Sequence, residues 1–242
     1  MALYLIGLGL GKESLSLEGL RKLKECSKIY LENYTVNFPY SKEELEKSLG
    51  IKVSELNREE VENESILKEA KEREITLLVY GDPLSATTHS SLVLACKEKK
   101  IPFKIFHNAS IISTISETGL QPYKFGKVTS IPNWKEHKNN PSSFVKTIKE
   151  NSSIEAHTLM LVDIGLDIKE AFEELKESCK KEKIEMPEKV IILSNATNPL
   201  QKLYYGSIEY LKSKKISLPY CIIIPNKLHF IEEEYLNEFK ED

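Results

Sequence analysis

Apolar residues fall along this chain in short dense runs, separated by longer stretches with helical spacing. Residues 3–6, 75–80 and 101–106 are almost continuously apolar, which predicts strands buried on both faces. A further strand is predicted at 28–32. Leu17, Leu20 and Leu23 recur at helical spacing behind Ser16, a capping residue, and predict a helix over 17–27. A serine-capped helix is expected at 41–49, a charged helix at 59–72, and a helix capped by Thr87 or Thr88 that ends near 100. Strand and helix thus alternate through residue 108, the pattern of a parallel sheet covered on each side.

After residue 110 a short helix runs to 118, and the rhythm changes. Strands are predicted at 128–131, 157–163, 189–194, 202–206 and 220–225, with helices at 142–150, 168–182, 208–214 and 232–240. The expected fold class is therefore α/β, in two domains spanning 1–110 and 111–242.

Composition narrows the function classes. The 242 residues are 40% hydrophobic and 29% charged, with a net charge of −3. A nucleic-acid binder is usually basic, so no such partner is expected. No apolar run reaches the ~20 residues of a membrane span, and the glycine-broken N-terminus does not read as a signal peptide. Cys26, Cys96, Cys179 and Cys221 are dispersed, with neither disulfide nor zinc spacing, which points to a reducing cytoplasm and to no metal. The Lys- and Glu-rich stretches at 66–74 and 169–185 read as solvated helix faces.

Two strand ends carry the candidate chemistry. LYLIGLGLG, residues 3–11, places Gly7, Gly9 and Gly11 after a buried strand. A dinucleotide fingerprint needs a small residue at position 12, where Lys12 stands, and a helix that begins at the loop. Glu32, at the end of the second predicted strand, stands where a ribose-binding acid would. A dinucleotide loop, a loop for another ligand and a plain turn all remain open on this motif. GDPLSATTH, residues 81–89, sets Asp82 at the carboxyl edge of a sheet, where ligands of open α/β sheets bind. A turn capped by its own aspartate gives the same string.

Together these strings resemble the tetrapyrrole methylase superfamily. Within it, TGLQPYKFGK at 118–127, IPNKLHFIEEEYL at 224–236 and HTLMLVDI at 157–164 are similar to the diphthine synthases. The resemblance runs from end to end. It implies two α/β domains with a ligand cleft between them, S-adenosylmethionine as methyl donor, and a homodimer. The implied acceptor is the amino group of a 3-amino-3-carboxypropyl-histidine on translation elongation factor 2. The family's donor contacts carry over to Leu10, Asp82, Ser85, Ser110, Ile111, Val162, Ala196 and Tyr220. Two of these contact positions depart from the family: SNATNP replaces an Ala-Arg-Ala-Gly-type string around Ala196, and Tyr220 replaces a usual histidine. Gly165 also stands where a lysine is common. Tyr123 and Lys124 are candidate substrate-side groups, and His89 is the histidine placed beside the implied cleft. No side chain is expected to be an essential acid or base, because a sulfonium methyl is already activated. The competing readings are a methylase of a corrinoid or other small molecule, a nicotinamide-dependent oxidoreductase, and a non-catalytic adaptor.

Overall fold

A computed structural model describes residues 1–63 and 65–240. The chain divides into two compact units, Met1–Ile112 and Ser113–Asp242.

The first unit holds an all-parallel sheet. Its strands are β1 (Ala2–Gly7), β2 (Lys28–Glu32), β3 (Ser54–Leu56), β4 (Glu74–Val79) and β5 (Phe103–Phe106), in the order β3-β2-β4-β1-β5. Alternate residues of the apolar runs feed opposite faces, as the two-residue period of a strand requires. Leu3, Leu5, Ile75, Leu77 and Val79 pack against Val61, Ile66, Leu67, Leu92 and Cys96 of the helices on one side. Ile6, Leu8 and Leu78 meet Leu23 and Leu45 on the other. Each fully buried leucine contributes about 2 kcal/mol of transfer free energy.

Local signals set the helix ends. Ser16 and Ser41 cap Leu17–Glu25 and Lys42–Leu49 as expected, each accepting a backbone N–H three residues on. Thr87 and Thr88 do not cap the next helix. Thr87 Oγ1 instead donates to Pro83 O at 2.6 Å, and Ser90–Glu98 starts behind His89 with no side-chain cap. The charged helix expected at 59–72 is two helices, Arg58–Glu62 and Ser65–Ala70. Asn63 Oδ1 accepts from Ser65 N and Ser65 Oγ donates to Glu60 O, so polar side chains take over backbone groups at the break. Glu64, inside the expected helix, lies outside the described residues, as do the last two residues of the expected second domain. β3 was not foreseen: it is three residues long, and only Leu56 is buried.

The second unit holds a mixed sheet of β6 (Thr129–Ile131), β7 (Thr158–Val162), β8 (Lys189–Ser194), β9 (Lys202–Ser207) and β10 (Tyr220–Ile224), in the order β6-β7-β10-β8-β9. Only β6 and β7 pair in parallel; β10 runs antiparallel to both of its neighbours. Ile131, Met160, Val190, Ile192 and Ile222 form a core with Phe172 and Leu175 of the helix Ile168–Glu182.

Candidate functional site

In the first unit the chain leaves β1 toward β2 on one side, then crosses β1 in passing from β4 to β5. The carboxyl ends of β4, β1 and β5 are thereby brought side by side, where doubly wound sheets bind ligands. The loops that follow them are tied together. Gly9 N donates to Gly81 O at 3.1 Å, and Gly81 N donates to Gly9 O at 2.9 Å. Both residues are left-handed, with φ of 69° and 72°, and a Cβ on Gly9 would lie 2.6 Å from the Ser14 Cβ. Leu10 Cδ2 and Ser110 Cα each lie 3.7 Å from where a Gly81 Cβ would stand.

Asp82 is the polar centre of these loops, at 7% exposure. Its Oδ1 accepts from Leu84 N at 2.9 Å and Ser85 Oγ at 3.3 Å. Its Oδ2 faces His107 Nδ1 at 2.7 Å and accepts from Asn108 N at 3.2 Å. Burial pushes this carboxyl up, but the Leu84 and Asn108 amides and the His107 ring outweigh it, so Asp82 titrates below the usual aspartate range. Asn108 was not singled out in the sequence, yet its Nδ2 donates to Gly7 O at 3.0 Å and to Ser14 O at 2.9 Å, clamping the glycine loop. The available signal was a His-Asn pair at a strand's carboxyl end, just before Ser110 and the half-buried Ile111 that opens Ile111–Thr114.

The sequence expectations for Glu32 and His89 change. Glu32 is fully buried: Oε1 accepts from Thr35 Oγ1 at 2.7 Å, and Oε2 faces His89 Nε2 at 3.4 Å. It is an internal partner, not a ribose-binding acid. His89 is 1% exposed, and its Nδ1 donates to Pro83 O at 3.0 Å, so it braces the GDP turn from within.

This set of groups suits a methyl donor of the adenosine type. An ionised carboxylate only accepts hydrogen bonds, which matches the amine and hydroxyls of such a ligand. Neither GDPLSATTH nor residues 107–111 contain a Lys or Arg, and Lys12 pairs with Glu44 at 3.9 Å. The helix Leu17–Glu25 begins too late to bring its amides to the glycine loop. A pyrophosphate cradle would need one of these.

The remaining candidates lie in the second unit. Val162 ends β7, Ala196 follows β8 by two residues, and Tyr220 opens β10. Because β10 is antiparallel to β7 and β8, with Tyr220 opposite Ser194, the three share one end of this sheet. Asn195 N donates to Pro219 O at 2.9 Å. Ala196 is flanked by two residues at positive φ, Asn195 at 51° and Thr197 at 62°. Tyr220 directs its hydroxyl inward to Leu166 O at 3.1 Å.

Lys124 and Tyr123 part company. Tyr123 is 80% exposed. Lys124 Nζ pairs with the fully buried Glu232 and donates to Lys227 O at 2.7 Å. Glu232 also accepts from Gln121 N at 2.9 Å and His229 N at 2.7 Å, and it faces His157 Nε2 at 3.4 Å. Burial raises the Glu232 carboxyl; the two amides, Lys124 and His157 more than reverse this and bring it down to about 2.

Residues 2–212 match the family model of Tetrapyrrole (Corrin/Porphyrin) Methylases. The chain belongs to the tetrapyrrole methylase family. Among curated relatives of this methylase, the diphthine synthase of Methanocaldococcus jannaschii is 41% identical over 250 residues, covering 97% of each protein. The diphthine methyl ester synthase of Schizosaccharomyces pombe is 48% identical over 164 residues, which span 66% of this chain and 58% of that protein. A solved diphthine synthase structure superposes with a TM-score of 0.87 at 33% identity, covering 99% of this chain and 96% of that one. In this methylase the strings singled out in the sequence divide into the loops around Asp82 and the segments held around Glu232.

Proposed function

We propose that the chain is a diphthine synthase, an S-adenosylmethionine-dependent methyltransferase of the diphthamide route. It acts on the amino group of the 3-amino-3-carboxypropyl-histidine of translation elongation factor 2, in the cytoplasm and as a homodimer. The observation that carries this reading is the similarity to the archaeal diphthine synthase over 97% of both chains. A methylase of corrinoids or other small molecules is not favoured by that similarity.

When bound, S-adenosylmethionine supplies an electrophilic methyl on a sulfonium. The proposed donor contacts are Leu10, Asp82, Ser85, Ser110 and Ile111 of the first unit and Val162, Ala196 and Tyr220 of the second. Asp82, held ionised, accepts hydrogen bonds from the donor's amine or hydroxyls. The Gly9–Gly81 pairing and the Asn108 clamp keep the loops in one geometry before the donor arrives, so alignment costs less at the moment of transfer. The acceptor amine attacks only when neutral; an unperturbed α-amino group titrates near about 7.7–8.0.

The name of the fission-yeast relative favours a second reading, esterification of the substrate's carboxylate. Incubation with S-adenosylmethionine and elongation factor carrying the unmethylated arm, followed by mass spectrometry, tests both. Stepwise methyl additions that survive alkali support N-methylation. An alkali-labile methyl supports the ester. No mass change, with elongation factor of proven modification state, defeats the proposal.

A further inference from the structure

Five histidines punctuate the chain, and their rings are spent differently. His89 is sealed at 1% exposure between Pro83 O and Glu32. His157 is fully buried, with Nδ1 accepting from Asn226 N at 2.9 Å and Nε2 facing Glu232. His137 faces Asp163 through Nε2 at 3.6 Å, and His229 turns Nδ1 to its own helix start as an acceptor from Ile231 N at 3.4 Å. His107 is exposed like His137 and His229, but it is the one of these three whose ring lies within hydrogen-bond distance of a carboxylate. Its side chain is 65% exposed, and its Nδ1 lies 2.7 Å from Asp82 Oδ2.

We propose that His107 is the proton acceptor in methyl transfer and that Asp82 orients it. The inference rests on the methyltransferase reading above. A carboxylate oxygen can only accept, so Nδ1 carries the hydrogen, which leaves the lone pair of a neutral ring on Nε2. Asp82 is itself fixed by the Leu84 and Asn108 amides, which leaves the ring a defined direction. Among the described residues, Asp82 is the carboxylate that pairs with this ring. The dyad stands at the carboxyl edge of β4 and β5, where the donor is proposed to bind.

The step balances as follows. The substrate ammonium gives a proton to Nε2, and its nitrogen lone pair forms the N–CH3 bond. The S–CH3 bond breaks with its electrons retained on sulfur, leaving S-adenosylhomocysteine. The methylated nitrogen is again an ammonium, and it must lose a proton before it can attack a second time. His107 passes each proton to water between rounds. The last transfer yields a quaternary ammonium with no proton to remove.

His107→Gln and His107→Ala test the assignment in the full chain. Each variant is compared with wild type for S-adenosylhomocysteine affinity by calorimetry and for single-turnover methyl transfer to the modified elongation factor. Expected are unchanged donor affinity, a transfer rate lower by about 10²-fold or more, and recovery of His107→Ala by added imidazole. Full rate in either variant overturns the proposal. So does a rate loss matched by an equal loss of donor affinity, which would make His107 a binding residue. A wild-type chain that binds no S-adenosylhomocysteine defeats the parent reading and takes this one with it.

Discussion

Asp82 and Glu232 are built alike and used differently. Each carboxylate accepts from two backbone amides and faces a histidine, and each titrates below the usual range. Glu232 adds Lys124 and has no exposed surface, with His157 beside it also fully buried. Asp82 has no lysine, and its histidine is 65% exposed. The same local chemistry serves as a staple where it is covered and as a candidate site where it is open. Both sit in strings that carried the family resemblance, so a diagnostic string does not by itself mark a functional one.

Removing each carboxylate should break the likeness. Glu232→Ala leaves the partly buried Lys124 ammonium unpaired and strips two amides of their acceptor, a loss of roughly 3 kcal/mol or more, read by urea unfolding. Its donor affinity, measured where the variant is still folded, stays near wild type. Asp82→Ala should do the reverse. We expect S-adenosylhomocysteine affinity to fall by about 10²-fold, the worth of charge-assisted hydrogen bonds near 3 kcal/mol, with a smaller loss of stability.

Acid sharpens the comparison. The folded Glu232 titrates near 2 and the free carboxyl near 4.5. Its contribution to stability is therefore complete above about 4.5 and lost as pH falls toward about 2. Burial also depresses His157, with the Glu232 charge opposing; the fold favours the neutral ring, and that preference is likewise lost as pH falls below 6.5. Both act in one direction, so stability should decline with acid, and Glu232→Gln should flatten the lower limb.

Smaller effects come from the backbone. Gly9→Ala sets a Cβ against Ser14 at positive φ, and should cost about 1–2 kcal/mol with a parallel loss of donor affinity. Thr197 is a β-branched residue at φ 62°, exposed beside Ala196. Thr197→Gly should raise stability by about 1 kcal/mol, or about 2–4 °C in Tm.

Much of the fold was legible in the sequence, for a physical reason; the Glu232 staple was not, and Lys124, which it holds, stood there as a substrate-side candidate. Continuous apolar runs fix buried strands, and serines in helix-start positions fix caps, so β1, β4 and the starts of Leu17–Glu25 and Lys42–Leu49 could be read directly. β3 was not legible because three mostly exposed residues carry no period. The resemblance offers Leu10, Asp82, Ser85 and Ser110 as donor contacts, which remain a proposal; the chain brings the four together around Gly81. His107 and Asn108 escaped because their importance lies in contacts 25 to 101 residues away, which no local pattern encodes. Glu32 and His89 misled for the converse reason: each looked like a site residue until its buried partner was seen.

The most direct test of the central claim is calorimetric titration of the purified chain with S-adenosylhomocysteine and, separately, with NADH. Micromolar binding of the first and none of the second is predicted by a site whose polar centre is a carboxylate without a phosphate cradle. Binding of NADH alone would contradict the account and return the glycine loop to a dinucleotide.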